Sequence, residues 1–219
     1  MNLKLKVCGM REAENIAAIS DLKPDYLGFI FYKGSARNVS EEENIATRSL
    51  IRTGVFVNAE VDEILQKLEK FDLAAIQLHG EETADFCKNL RKALSETEKS
   101  AELIKVFGVK EEFDFDILKG YEGLVDYFLF DTKGKNRGGN GTRFDWQVLE
   151  KYPSATPFFL SGGIGPDETA AIKKLYQSFQ KRQKEDLFYG IDVNSKFEAA
   201  PGKKDPVALQ KFKQELFKK

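Results

Sequence analysis

Short apolar runs alternate with amphipathic stretches about eight times along this chain. The runs are Leu3–Gly9, Tyr26–Phe31, Thr53–Asn58, Ala74–Gly80, Leu103–Val109, Tyr127–Thr132, Pro157–Gly163 and Phe188–Ser195. Most are rich in Val, Ile, Leu and Phe and lack strict alternation, the pattern of strands covered on both faces. Helical spacing fills the intervals. Ile64, Leu65, Leu68 and Phe71 recur with that period, as do Phe86, Cys87, Leu90 and Leu94. Ser40 and Glu43 have the spacing of a capping box ahead of Ile45 and Ile51, which predicts a helix there. Pro166 suits the first turn of a helix, with Asp167 and Glu168 favourable beside its N-terminus. A last helix follows Asp205-Pro206, with Leu209, Phe212 and Leu216 on one face and lysines on the other.

Strand–helix alternation implies a parallel sheet. Eight repeats point to closure into a (β/α)8 barrel; an open doubly wound sheet is the competing architecture. At 219 residues the chain makes a compact barrel with short loops. No proline-rich linker or composition shift marks a second domain, so residues 1–219 are expected to form one. The charged stretch 181–186 reads as a solvated helix end or loop before the eighth strand.

The 34 basic residues nearly cancel the 35 acidic ones, which removes the electrostatic case for nucleic acid. No apolar run approaches a membrane span, and no leader precedes the first strand, so a cytoplasmic protein with no membrane partner is expected. Two cysteines and one histidine are too few for a His/Cys metal site. A phosphorylated small molecule needs only a local positive site and remains the expected partner, bound by a monomer or homodimer.

A barrel places all its strand ends on one rim, where chemistry occurs. Cys8 ends the first strand before Gly9, and as a thiolate would serve as base or nucleophile. Cys87 falls within a helix pattern and is read as packing. Asp131 closes the sixth strand and either caps the next loop or faces the rim. The glycine-rich stretch 133–141 matches neither the P-loop nor the dinucleotide fingerprint. Gly162-Gly163 and Asn194-Ser195 follow the seventh and eighth strands, where barrels commonly hold phosphate on backbone N–H groups; ordinary tight turns are the alternative. Arg37 either forks onto a carboxylate or stands at the surface. Gln77 and His79 line the pocket or are hydrogen-bonded structural groups. Asp192, within the eighth strand, needs a partner if buried.

In order, KVCGM at 6–10, LGFIFYKGSARNVS at 27–40, GVFVN at 54–58, IQLHGEE at 76–82, FDTK at 130–133, GGNGTRFDW at 138–146, LSGGIGPDE at 160–168 and GIDVNSKFEAAPGKKD at 190–205 resemble the phosphoribosylanthranilate isomerase family. The resemblance is collinear and spans nearly the whole chain. It implies a (β/α)8 barrel that catalyses an Amadori rearrangement in tryptophan biosynthesis without metal or organic cofactor. It implies Asp131 as general acid, Cys8 as general base, and Arg37 on the anthranilate carboxylate. It puts the phosphate on Gly162, Gly163, Asn194 and Ser195, with Asp192 near the sugar hydroxyls. Two departures stand out: GGNG replaces the commoner GGTG, and Lys196 replaces a glycine beside the phosphate turn. The histidine-pathway aminoaldose isomerase is the nearest rival, but its family uses aspartates for acid and base. A silent sugar-phosphate barrel would not need both Cys8 and Asp131.

Overall fold

The computed structural model describes residues 1–40, 45, 50–110, 112–132 and 144–218. Eight strands form a closed parallel barrel in sequence order, which excludes the open sheet. They are β1 (Lys4–Val7), β2 (Tyr26–Ile30), β3 (Ile51–Phe56), β4 (Ala75–Leu78), β5 (Glu102–Val109), β6 (Tyr127–Thr132), β7 (Phe158–Leu160) and β8 (Phe188–Val193). Closure occurs where β8 pairs with β1, setting Lys6 opposite Asp192. A register shift at Phe158/Phe159 kinks the ladder between β7 and β8.

The uninterrupted apolar runs follow from burial on two sides. One set of side chains, including Tyr26, Ala75, Ile104, Val106, Leu129 and Phe159, fills the barrel interior. The alternate set, such as Leu5, Leu27, Phe56, Leu103 and Phe158, packs in the larger cluster with the helices. The helices are α1 (Ala13–Ser20), α2 (Val61–Lys70), α3 (Ala84–Ser95), α4 (Thr169–Gln180) and α5 (Pro206–Phe217). Thr83 caps α3 by accepting from the Phe86 N–H, and Asp205 caps α5 by accepting from Val207 and Ala208.

The connections depart from the expected pattern in several places. Ile51 starts β3 instead of continuing a helix, because its backbone joins the ladder opposite Tyr26; Glu43 of the proposed capping box lies outside the described residues. After β5 and β6 the described connections contain short 3₁₀ segments, Phe115–Gly120 and Trp146–Lys151, each capped by an aspartate. Pro166 opens a 3₁₀ turn ahead of α4, and the exposed residues 181–184 end that helix. The sequence pattern missed a two-stranded hairpin after β8, β9 (Glu198–Ala200) with β10 (Lys203–Lys204). Both main-chain bonds between Lys204 and the Asn15 side chain fasten this hairpin to α1, at 2.8 Å each.

A second buried charge pair braces the rim near β4. The Lys105 ammonium donates to Glu82 at 2.8 Å and to the Gly80 carbonyl at 2.9 Å. Glu82 in turn accepts from the Asn58 and Gly80 N–H groups. Burial pushes the Glu82 carboxyl up, but Lys105, together with the Asn58 N–H and the residue's own, outweighs it and holds the carboxyl below its ordinary 4.5. Its contribution to stability is therefore full above that pH and is lost as pH falls through the lowered value. Glu82→Gln leaves the Lys105 ammonium buried without an anion and is expected to cost about 3–5 kcal/mol. Urea unfolding of both proteins at neutral pH measures this, and the gap should narrow in acid.

Candidate active site

Lys6 and Cys8 are two residues apart and so share the inner face of β1. Lys6 is fully buried, and its Nζ donates to Asp192 Oδ1 at 2.8 Å. This supplies the partner that a buried Asp192 required. Gly28 stands beside them on β2. A Cβ there would lie 2.8 Å from Cys8 Sγ and 3.1 Å from Lys6 Nζ, so only glycine leaves room for both. Burial pushes the Cys8 thiol above its ordinary range; Asp192 adds to this, while Lys6 and Lys204 oppose it.

Contacts run on from Asp192 round the rim. The Ser161 hydroxyl lies 3.3 Å from both Asp192 Oδ2 and the Asp192 carbonyl. Gly162 and Gly163 follow with φ of +83° and +74°. A Cβ at Gly162 would fall 2.5 Å from the Thr132 nitrogen and 2.9 Å from Asp131 Oδ1. The first glycine turn is therefore built directly against the end of β6. Asp131 accepts from the Thr132 N–H at 2.8 Å, and its other oxygen lies 3.4 Å from His79 Nε2. His79 Nδ1 is 3.0 Å from the buried Gln77 amide nitrogen. Cys8, Asp192, Gly162, Asp131, His79 and Gln77 thus occupy one connected arc, with Lys6 and Ser161 as the links. Asp131 both accepts from its neighbour's N–H and stands on the rim, so the two readings left open for it hold together. The glycine-rich stretch 133–141 lies outside the described residues.

A second arc runs the other way from Cys8. Arg37 lies against Gly9, and its guanidinium grips Glu198 with two donors of one edge, Nε to Oε1 at 2.8 Å and Nη2 to Oε2 at 2.6 Å. Arg37 is therefore neither at the open surface nor free: a carboxylate of the chain itself already holds one side of its fork. Burial pushes the Glu198 carboxyl up, but Arg37 and Lys204 hold it below the ordinary range. The fully buried Lys204 ammonium also donates to Asn194 Oδ1 at 2.8 Å. Asn194 and Ser195 lead into a 3₁₀ turn, Ser195–Phe197. Exposed Lys196 rests its stem on Gly165, the two turns after β7 and β8 meeting there. Cys87, by contrast, is sealed in the core.

Sequence reasoning missed Lys6, Gly28, Glu198 and Lys204. The signal for Lys6 was present: a lysine two residues before Cys8, in a strand buried on both faces, must meet an anion, and Asp192 was expected to need a partner if buried. Among the described residues, no group of His, Cys, Asp and Glu is placed to hold a metal ion, and no helix is long and apolar enough to cross a membrane.

A closed (β/α)8 barrel with its thiol, carboxylates and glycine turns converging on the carboxyl ends of the strands defines the class: a barrel enzyme acting on a small molecule at that rim. The chain belongs to the N-(5'-phosphoribosyl)anthranilate (PRA) isomerase family, whose model matches residues 5–215. It is 42% identical to the N-(5'-phosphoribosyl)anthranilate isomerase of Phocaeicola vulgatus, covering 98% of each chain. Its fold matches the phosphoribosyl anthranilate isomerase of Thermotoga maritima with a TM-score of 0.79, 29% identity and 98% of each chain covered. A solved phosphoribosyl anthranilate isomerase in complex with reduced 1-(o-carboxyphenylamino)-1-deoxyribulose 5-phosphate matches with a TM-score of 0.75, 27% identity and the same coverage.

Gly162→Ala combines a left-handed backbone with a clash against Thr132 and Asp131. It is expected to destabilise the fold by about 1–3 kcal/mol and to lower turnover by displacing Asp131. Urea unfolding and steady-state kinetics on the same sample check both effects.

Proposed function

We propose that the chain catalyses the Amadori rearrangement of N-(5-phosphoribosyl)anthranilate to 1-(2-carboxyphenylamino)-1-deoxyribulose 5-phosphate, the isomerase step of tryptophan biosynthesis. In this reading the residues form one barrel domain, acting in the cytoplasm on a phosphorylated small molecule. The observation that carries the reading is the arc joining Cys8 to Asp131 through Asp192 and the Gly162 turn. In it Cys8 and Asp131 stand at the ends of different strands with the Gly162 turn between them, which supports separate base and acid roles flanking an anion-binding turn.

Asp131 protonates the ring oxygen, and the ribose opens to a Schiff base. Cys8 as thiolate removes the proton from C2; the C2–H electrons form the C1=C2 bond as the C1=N pair of the protonated Schiff base moves onto nitrogen, giving an enolamine. Tautomerisation to the ketone completes the rearrangement. Two proton sites on different parts of the substrate call for two groups of different chemistry. The thiol fits the base role, since its unperturbed pKa of roughly 8.5 lies closer to neutrality than a carboxylate's roughly 3.9. The N–H groups at Gly162, Gly163 and Ser195 hold the phosphate, helped by the Asn194 side chain. Asp192 sits beside the sugar hydroxyls, with Gln77 and His79 behind Asp131. Arg37 reads the anthranilate carboxylate through the edge that Glu198 leaves open.

Product formation from freshly made phosphoribosylanthranilate tests the reading, with the histidine-pathway aminoaldose as the competing substrate. Cys8→Ala and Asp131→Asn should each lower kcat by at least about 10²-fold with smaller effects on KM. Cys87→Ala should leave turnover nearly intact. Near-normal kcat in Cys8→Ala would remove the proposed base.

Arg37→Ala should weaken binding of a carboxylate-bearing product analogue by roughly 1.5–3 kcal/mol and barely change binding of ribose 5-phosphate. Calorimetry with the two ligands separates carboxylate recognition from a general structural loss, which would weaken both alike.

A further inference from the structure

We propose that Lys6 is a positioning residue for the reaction: its buried ammonium, anchored by Asp192, holds the Cys8 sulfur in place and favours its thiolate. The proposal rests on the reading of Cys8 as the base. Three observations support it. Lys6 is completely buried in the barrel interior and contacts Asp192 at 2.8 Å across the β1–β8 ladder. Lys6 Nζ and Cys8 Sγ crowd the same void over Gly28, at 3.1 and 2.8 Å from the point where a side chain would begin. The two groups are hydrogen-bonding neighbours, and a thiolate favours the charged ammonium as the ammonium favours the thiolate.

A buried ion pair is weak evidence of a stabilising role, because a well-packed apolar pair of similar volume often does as well or better. A function that needs the charge explains its presence here. The thiolate must exist before it can take the C2 proton, and burial works against it. The charged groups facing Cys8 are Lys6 from its own strand, Asp192 from β8, Lys204 from β10 and Arg37 from the segment after β2. Lys204 and Arg37 already share Glu198. Lys6 shares only Asp192, and its effect on the thiol is the larger of the two. Once the proton has moved to sulfur the negative charge has left Cys8, so Lys6 favours the poised state over the spent one.

Titration of the two cysteines in protein labelled with [¹³Cβ]cysteine tests this without substrate, and so independently of the reaction assigned above. Cys87→Ala identifies the Cys8 signal; the Cys87 thiol itself is pushed up to about 11 by its burial. Lys6→Met should raise the Cys8 midpoint by at least about one pH unit, and kcat/KM at pH 7 should fall at least about tenfold, with the loss shrinking as pH rises. Asp192→Asn should move the Cys8 midpoint in the opposite direction, downward. The double variant Lys6→Met with Asp192→Asn leaves no unpaired buried charge and keeps the test open if Lys6→Met fails to fold. Its midpoint should lie above that of the unaltered protein, because Lys6 outweighs Asp192. Opposite shifts in the single variants, or the raised midpoint in the double, support the proposal. A folded Lys6→Met or double variant with an unmoved Cys8 midpoint overturns it and leaves Lys6 a purely structural charge.

Discussion

The ion pair between Lys6 and Asp192 governs this structure, because it sits at the seam where the last strand closes on the first. An ammonium and a carboxylate taken out of water cost several kcal/mol each unless their geometry is good and their remaining valences are met. Here the pair is direct, Ser161 lies beside the carboxylate, and the Cys8 sulfur lies beside the ammonium. Ser161 leads straight into the glycine turn that abuts Asp131. One buried charge pair therefore fixes the relative positions of Cys8, the Gly162 turn and Asp131.

The hairpin after β8 plays a comparable part on the opposite arc. Its Glu198 and Lys204 join the Arg37 guanidinium to the Asn194 side chain. The two groups proposed to grip the two ends of the substrate are thus positioned by one small element. Holding Arg37 by two of its donors removes most of its rotational freedom before any ligand arrives, and an ordered fork loses less entropy on binding.

The barrel was legible in the sequence because burial on both faces leaves a strong local mark, eight runs of apolar residues ending in small or polar ones. The rim residues Cys8, Asp131 and the turns at Gly162-Gly163 and Asn194-Ser195 were legible for the same reason: each ends such a run. What escaped was non-local. Lys6 and Asp192 are separated by 186 positions, and Arg37 and Glu198 by 161. Neither pairing leaves a periodic trace. The β9–β10 hairpin is too short to show alternation, and Ile51 fits a helical spacing as well as a strand start. The 3₁₀ segments after β5 and β6 begin with the same cap residues as helices, so their brevity was hidden.

The seam has a consequence for how the protein is made. A chain leaves the ribosome from its N-terminus at about 5–20 residues per second, so Asp192 emerges roughly 10–40 s after Lys6. Until then the Lys6 ammonium has no carboxylate to meet at the seam, and withdrawing it from water is costly. The inner face of β1 must therefore stay wet while the middle strands are already assembling. The last barrel strand acts as keystone and counter-ion at once, and the thiol of Cys8 is enclosed only after β8 has emerged.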